Sequence, residues 1–193
     1  MRTFENRGMN EQSPHISYEA FVNKLAAHLK KLRSETGLSQ ERIAYDAFLS
    51  PFTYLKFERG ESNPGTPMNP RLHTLLALAD SFGINILELL DVDEDEIGLS
   101  VKPYTSADGY EIPNYDAETF TQKLADRMQK LRWERDMTKE DVARLSGITY
   151  RSYSCIEKGE LRAGTPANPR LSTLISIANA FGVSLIDLLS VDR

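Results

Sequence analysis

Apolar residues recur between positions 21 and 90 with the spacing of amphipathic helices. Phe21, Leu25 and Leu29 follow one another at four-residue intervals, which places them on one face of a helix. The pattern predicts a first helix that begins near Phe21 and ends near Gly37. Four more helices are predicted over 40–47, 51–58, 69–82 and 86–90.

Capping residues mark where these helices begin. Ser39 precedes the second helix, and Ser is a favoured N-cap because its side chain accepts a backbone N–H. Ser50-Pro51 and Asn69-Pro70 each combine a cap with a proline in the first turn, where the missing N–H costs nothing. We therefore expect the third and fourth helices to begin at these pairs.

The whole pattern returns 99 positions later without an insertion, so that residues 21–93 align with residues 120–192. The second set of helices is predicted near 118–135, 139–146, 150–158, 169–181 and 185–189. Two copies are too few for a solenoid. The sequence therefore predicts an all-α protein with two tandem five-helix domains, at 18–92 and 117–193, which we call the first and second repeat.

Two further segments lie outside the repeats. Residues 1–17 are polar and without periodicity, which predicts a flexible N-terminal arm. Residues 93–116 begin with four acidic residues and continue with Pro, Gly, Tyr and Ser, which predicts a linker containing a short extended piece at 99–101.

Composition narrows the class of protein. The 193 residues are 40% hydrophobic and 26% charged, and they contain no apolar run long enough to cross a membrane. The single Cys155 and the absence of a signal peptide favour the cytoplasm. His15, His28 and His73 lie far apart and have no cysteine or His partner at ligand spacing, so we expect no metal. No catalytic constellation is visible either, so we expect no cofactor and no enzymatic activity.

The net charge of −5 gives weak evidence against a nucleic-acid partner, but the charge is unevenly distributed. Residues 19–92 carry 8 basic and 9 acidic side chains, whereas residues 117–193 carry 12 basic and 10 acidic ones. The second repeat is therefore the more basic one.

The second and third predicted helices of each repeat form a helix-turn-helix pattern. In the first repeat Leu38-Ser39-Gln40-Glu41-Arg42-Ile43-Ala44 is followed by Glu58-Arg59-Gly60, and in the second repeat Met137-Thr138-Lys139-Glu140-Asp141-Val142-Ala143 is followed by Ile156-Glu157-Lys158-Gly159. Both resemble the Xre family, the Cro and phage-repressor type of helix-turn-helix. The resemblance implies two lambda-repressor-like DNA-binding domains. The family usually has Gly in the turn, and Gly147 fits, whereas Phe48 predicts an altered turn in the first repeat.

The resemblance also implies roles for individual residues. In the family, base edges are met from the start of helix two and the first turns of helix three. Carried over, the base-contact candidates are Lys139, Tyr150, Arg151 and Cys155 in the second repeat, and Gln40, Pro51, Phe52 and Lys56 in the first. Arg and Lys can bond guanine, whereas Phe offers only apolar contact with a thymine methyl group. The second repeat is therefore the expected base reader.

Other residues have implied structural or phosphate-binding roles. The resemblance implies internal ion pairs between Arg33 and Glu58 and between Arg132 and Glu157. Tyr54 and Tyr153 fall at core positions. Arg71 and Arg170, in the first turn of the fourth helix of each repeat, are candidates for phosphate contact, together with Thr66 and Thr165, because free backbone N–H groups there suit a phosphate. Pairing of each Arg with a neighbouring acid is the alternative.

The resemblance implies a bacterial or phage transcriptional regulator, with repression expected, that binds a double-stranded DNA operator. Xre proteins typically act as twofold dimers, so either the repeats imitate a dimer within one chain or the chain forms a homodimer with four domains. The alternative function is a protein-interaction module, in which one or both helix-turn-helix domains bind protein through apolar residues of the first repeat: Phe48, Pro51, Phe52 and Leu55.

Overall fold

In a computed structural model, the structure describes residues 17–92 and 116–191, and both parts are mainly helical. The first part contains α1 (Tyr18–Thr36), α2 (Gln40–Asp46), α3 (Pro51–Arg59), β1 (Glu61–Asn63), β2 (Thr66–Pro67), α4 (Leu72–Phe82) and α5 (Ile86–Leu90). The second contains α6 (Ala117–Glu134), α7 (Lys139–Leu145), α8 (Tyr150–Glu157), β3 (Glu160–Arg162), β4 (Thr165–Pro166), α9 (Leu171–Phe181) and α10 (Leu185–Leu189). The expected arm and nearly all of the expected linker, including residues 99–101, lie outside the described residues.

Local signals place most helices where the sequence predicts them. Ser39 and Thr138 cap α2 and α7 by accepting the N–H groups of Arg42 and Asp141. Gly37 and Gly83 follow α1 and α4 with φ values of 67° and 69°, in the left-handed region that ends helices. None of the described helices is both long and apolar enough to cross a membrane.

Each repeat also contains a short antiparallel hairpin, between the helices predicted at 51–58 and 69–82 and between those predicted at 150–158 and 169–181. β1 pairs with β2 and β3 pairs with β4 through equivalent registers, with Glu61 opposite Pro67 and Glu160 opposite Pro166. The hairpins follow α3 and α8 directly. They therefore hold the segment that leads into α4 and α9 close to the helix-turn-helix.

One hydrophobic cluster runs through both repeats. Tyr54 and Tyr153 are fully buried in it, as their core positions predict. α5 packs against α10, and the Nε2 atom of His73 lies 3.4 Å from the Thr121 Oγ1 atom. The two repeats therefore share a continuous apolar interior.

The start of α4 differs from the prediction. The helix begins at Leu72 and has Arg71 at its N-cap, and α9 likewise begins at Leu171 after Arg170. The prediction that Asn69-Pro70 caps and opens the fourth helix was therefore wrong. Asn69 and Pro70 instead accept hydrogen bonds from backbone N–H groups of the second repeat.

The two Asn-Pro-Arg strings face one another across an interface with reciprocal contacts. Leu72 N donates to the Pro169 carbonyl oxygen at 2.9 Å, and Leu171 N donates to that of Pro70 at 2.8 Å. Arg71 and Arg170 form an antiparallel bridge between these bonds. Because each contact returns with the repeats exchanged, the interface is isologous and has pseudo-twofold symmetry.

Each repeat caps a helix of the other. The Asn168 Oδ1 atom accepts the His73 N–H at 3.1 Å, and the Asn69 Oδ1 atom accepts the Ser172 N–H at 3.1 Å. Asn69 Nδ2 also donates to Ser172 Oγ at 2.8 Å. Asn69 and Asn168 therefore each accept a first-turn N–H group of a helix in the opposite repeat, the role that an N-cap residue has for its own helix.

Candidate nucleic-acid interface

α2–α3 and α7–α8 are the two helix pairs at the positions where the sequence predicts helix-turn-helix units. Ser50 caps α3 by accepting the Thr53 N–H at 3.1 Å, and Thr149 caps α8 by accepting the Ser152 N–H at the same distance. These caps fix where α3 and α8 begin. The residues that follow them, Pro51 and Tyr150, are exposed.

The turn has the same backbone conformation in both repeats. Phe48 has a φ of 55° and Gly147 has a φ of 66°. The bond that closes the turn is also shared, from Leu49 N to the Ala44 carbonyl at 2.7 Å and from Ile148 N to the Ala143 carbonyl at 3.0 Å. The expected altered turn in the first repeat was therefore wrong, because Phe48 adopts the left-handed conformation that Gly147 adopts without a Cβ penalty.

Two base-contact candidates of the second repeat are exposed at the start of α8. Tyr150 is 50% exposed, and Arg151 is exposed beside it in the first turn of α8. Cys155 lies further along and is half-buried, with its Sγ atom 3.7 Å from the Leu161 carbonyl oxygen. Tyr150 and Arg151 are thus the more accessible of these candidates on α8.

The first residue of each second helix is bonded inside its own repeat. The Lys139 ammonium lies 2.7 Å from the Glu157 Oε2 atom, and the Gln40 amide donates to the Glu58 Oε2 atom at 2.6 Å. The sequence analysis did not anticipate these contacts. A base contact from Lys139 or Gln40 therefore requires its side chain to leave a buried carboxylate.

In the first repeat, aromatic groups stand where the second repeat has polar ones. Phe52 occupies the position equivalent to Arg151 and is 64% exposed. The Lys56 ammonium lies 4.9 Å from the centre of the Phe52 ring, so this candidate is held over an aromatic face. Phe52 therefore lacks the hydrogen-bond donors that Arg151 has at the same position.

Each buried glutamate also contacts the arginine that the resemblance implied. Arg33 Nε donates to Glu58, and Arg132 Nε donates to the Glu157 Oε1 atom at 2.5 Å. Burial raises the pKa of Glu157, but hydrogen bonds from Arg132 and Lys139 outweigh burial and hold this pKa below its usual value. Both carboxylates are therefore ionised and tie α1 to α3 and α6 to α8.

The two arginines among the phosphate candidates lie in the interface between the repeats. The Arg71 guanidinium donates to the Asn168 carbonyl at 3.0 Å, and that of Arg170 donates to the Asn69 carbonyl at 3.1 Å. Neither bond is to an acid, which was the alternative. Thr66 is exposed on β2, and Thr165 is half-buried on β4.

The expectation of free N–H groups for a phosphate at the start of the fourth helix was wrong. The first N–H groups of α4 are instead bonded to Pro169, Asn168 and Arg71. Phosphate contact by the arginine and threonine side chains stays a prediction.

An exposed aromatic surface on the first repeat extends beyond the residues that the sequence singled out. Phe48 is 94% exposed and Tyr45, on the preceding helix, is 77% exposed. With Phe52 they form what we call the aromatic surface. Tyr45 could have been found from its alignment with Arg144, because the first repeat has an aromatic residue there in place of a charged one.

Two comparisons found proteins that are similar to part of the chain. Residues 128–188 match the protein family described as helix-turn-helix. A segment of 67 residues, 35% of the chain, is 36% identical to the HTH-type transcriptional regulator DdrOP3 of Deinococcus deserti. The match spans 47% of that relative's length. No solved structure matches the chain.

The matched segment contains both α7 and α8 in full. The part of the chain that is similar to helix-turn-helix proteins is therefore the part that presents Tyr150 and Arg151.

Proposed function

We propose that the chain is a sequence-specific regulator of transcription that binds double-stranded DNA through two tandem helix-turn-helix domains. The observation that carries this proposal is the first turn of α8, where Arg151 and Tyr150 are exposed directly after the Thr149 cap. This geometry suits entry of a helix N-terminus into the major groove. The similarity of residues 128–188 to helix-turn-helix proteins supports the proposal.

The second repeat is the principal base reader in this proposal. Arg151 carries a guanidinium that can donate two hydrogen bonds to the O6 and N7 atoms of guanine. Its counterpart Phe52 can contact only the methyl group of thymine. The two halves of the bound DNA are therefore expected to differ in sequence, with guanine specified under the second repeat.

In this proposal the pseudo-twofold interface between the repeats takes the place of a dimer interface. Duplex DNA has local twofold symmetry, and paired helix-turn-helix units bind half-sites about 34 Å apart. The reciprocal capping by Asn69 and Asn168 fixes the orientation of the two units without a second chain.

Repression is the regulatory mode that we propose. A protein that occupies its operator blocks access to the same DNA and needs neither a cofactor nor catalysis for this. The name of the Deinococcus deserti relative supports a role in transcription, since that protein is called a transcriptional regulator.

The aromatic surface supports a second candidate function, which is binding of a protein partner by the first repeat. An exposed Phe48 in the left-handed region has unfavourable backbone geometry and leaves its ring in water. A protein partner that covers this ring would offset both costs. In this case the second repeat alone reads DNA.

The test is a comparison of Arg151→Ala with Phe52→Ala on DNA selected from a random pool by the full chain. A base-facing Arg contributes about 1–3 kcal/mol of discrimination, so Arg151→Ala is expected to weaken specific binding about 5- to 150-fold. Phe52→Ala should weaken it far less. Lys130→Ala on α6 controls for loss of one positive charge, because Lys130 is exposed outside the helix-turn-helix. Equal losses from Arg151→Ala and Phe52→Ala would show that the second repeat is not the principal reader.

A further inference from the structure

A groove of about 520 Å³ lies where α3 and the first hairpin meet the second repeat. Its walls include Tyr18, Phe57 and Met68 from the first repeat. The second repeat contributes Arg170, whose guanidinium crosses the interface. The volume falls within the range of about 300–1,000 Å³ that is typical of small-molecule sites.

The groove combines an apolar wall with two positive charges. Lys56 and Arg170 both line it, whereas no Asp or Glu is present among the described residues of its lining. Arg170 uses one N–H group for the Asn69 carbonyl, and a guanidinium has five such donors. Thr53 and Ser62 also line the groove, and their hydroxyl groups are hydrogen-bonded to the Ser50 Oγ atom and to the Thr66 carbonyl oxygen.

Tyr18 forms a fixed part of this wall. Its hydroxyl group donates to the Met68 carbonyl oxygen. Burial raises the pKa of Tyr18 to about 12 although the Arg170 charge opposes this. The tyrosine therefore stays neutral, and it brings no negative charge to the groove.

The second repeat lacks most of these groups at the matching positions. Ala117, Cys155, Leu161 and Ala167 stand 99 positions after Tyr18, Lys56, Ser62 and Met68. Arg71 is the counterpart of Arg170, and both make the same interface hydrogen bond. The two repeats thus share the arginine hydrogen bond that joins them, but only the first repeat has the side chains that line the groove.

We propose that this groove is a binding site for a small organic anion, with a carboxylate or phosphate group held by Lys56 and Arg170 and an apolar body placed against Tyr18 and Met68. The two cations come from different repeats, so the ligand bridges them. Thr53 and Lys56 lie on α3, so bound ligand also contacts a helix of the helix-turn-helix unit. The site is therefore placed to couple a small molecule to the geometry of the two units.

The experiment is a titration of the full chain with phenyl phosphate at constant ionic strength and without DNA. Binding is monitored by nuclear magnetic resonance of the backbone amides of the protein. We expect saturable binding of one phenyl phosphate per chain, with shifts at residues that line the groove. Inorganic phosphate lacks the apolar body and phenol lacks the charge, so both should bind at least about tenfold more weakly, a difference of about 1.4 kcal/mol.

Three variants separate the groove from the interface. Lys56→Gln and Arg170→Ala should each weaken binding about tenfold or more, the loss expected for one charge-assisted hydrogen bond. Arg71→Ala loses the matching interface bond but does not line the groove, so its affinity should stay within about twofold of the parent. Thermal unfolding of each variant verifies that it is folded.

Several results would overturn the proposal. One is the absence of saturable binding by phenyl phosphate. Another is an equal loss in Arg71→Ala and Arg170→Ala, which would show that binding depends on the interface alone. Equal affinity for phenyl phosphate and inorganic phosphate would refute an organic ligand, and an unchanged affinity in Lys56→Gln would refute the assigned contacts. Because no DNA is present, none of these results depends on the proposed DNA binding.

Discussion

Loss of the Asn69 side chain is expected to destabilise the opposite repeat. In the structure Asn69 accepts the Ser172 N–H and donates to the Ser172 hydroxyl group. Removal of an N-cap acceptor costs about 0.5–2 kcal/mol, and one further hydrogen bond contributes about 1 kcal/mol. Asn69→Ala should therefore lower the free energy of unfolding by about 2 kcal/mol. For a chain of this length that corresponds to a fall in Tm of roughly 4–8 °C.

Hydrogen exchange is the assay that locates this loss. The Ser172 amide hydrogen should exchange about 5- to 30-fold faster in Asn69→Ala, which is the factor that corresponds to 1–2 kcal/mol. In Asn168→Ala the faster amide should be that of His73 in the first repeat. Each substitution thus acts on a helix about 100 residues away in sequence.

Ser50→Ala provides the matched control, because Ser50 caps α3 within its own repeat. Its effect on exchange should stay at Thr53 and its neighbours. The reasoning is refuted if Asn69→Ala leaves Ser172 unchanged and accelerates the amides at the start of α4. Such a result would mean that Asn69 caps its own helix in solution.

Three further predictions concern the ion pairs, the turn and the tandem arrangement. The folded-state pKa of Glu157 lies below its unfolded value of 4.5, so its ion pairs stabilise the fold above that value and this contribution is lost as the pH falls through the folded pKa. Glu157→Gln should therefore lower stability at neutral pH and flatten its decline below about pH 4.5, as measured by urea unfolding at several pH values; an unchanged pH profile would count against the pairing. Phe48→Gly should raise the free energy of unfolding by about 1 kcal/mol, because it removes a left-handed non-glycine residue whose ring is already exposed. Denaturant unfolding checks this, and a loss of stability would show that the ring packs in solution. The isolated second repeat, 117–193, should fold and bind the selected DNA at least about 100-fold more weakly than the full chain, because tethering raises the effective concentration of the other repeat. Equal binding isotherms for the fragment and the full chain would mean that the first repeat adds nothing to DNA affinity.

The helices could be predicted from the sequence because their signals are local. Capping residues such as Ser39 and Thr149 lie next to the helices that they cap, and a period of apolar residues defines each buried face. The repeat added a second, independent copy of the same signals. These predictions needed no knowledge of distant contacts.

Long-range pairings account for what the sequence did not reveal. The local sequence around Asn69 is compatible with a cap of its own helix and with a cap of α9. Only the packing of the two repeats decides which helix Asn69 caps. The contact between Lys139 and Glu157 likewise joins residues far apart in sequence. The left-handed conformation of Phe48 could not be predicted from residue propensities. The hydrogen bond that closes the turn is the same in both repeats, and it requires this conformation whether the residue is Phe48 or Gly147.

We propose that the two repeats together read one DNA site, with the second repeat as the principal reader. The decisive measurement is selection of DNA from a random pool by the full chain, repeated with Arg151→Ala. We expect a site with two unequal arms about one helical turn apart, in which Arg151→Ala abolishes the sequence preference of the stronger arm. A site with a single arm, or a preference that Arg151→Ala leaves unchanged, would contradict it.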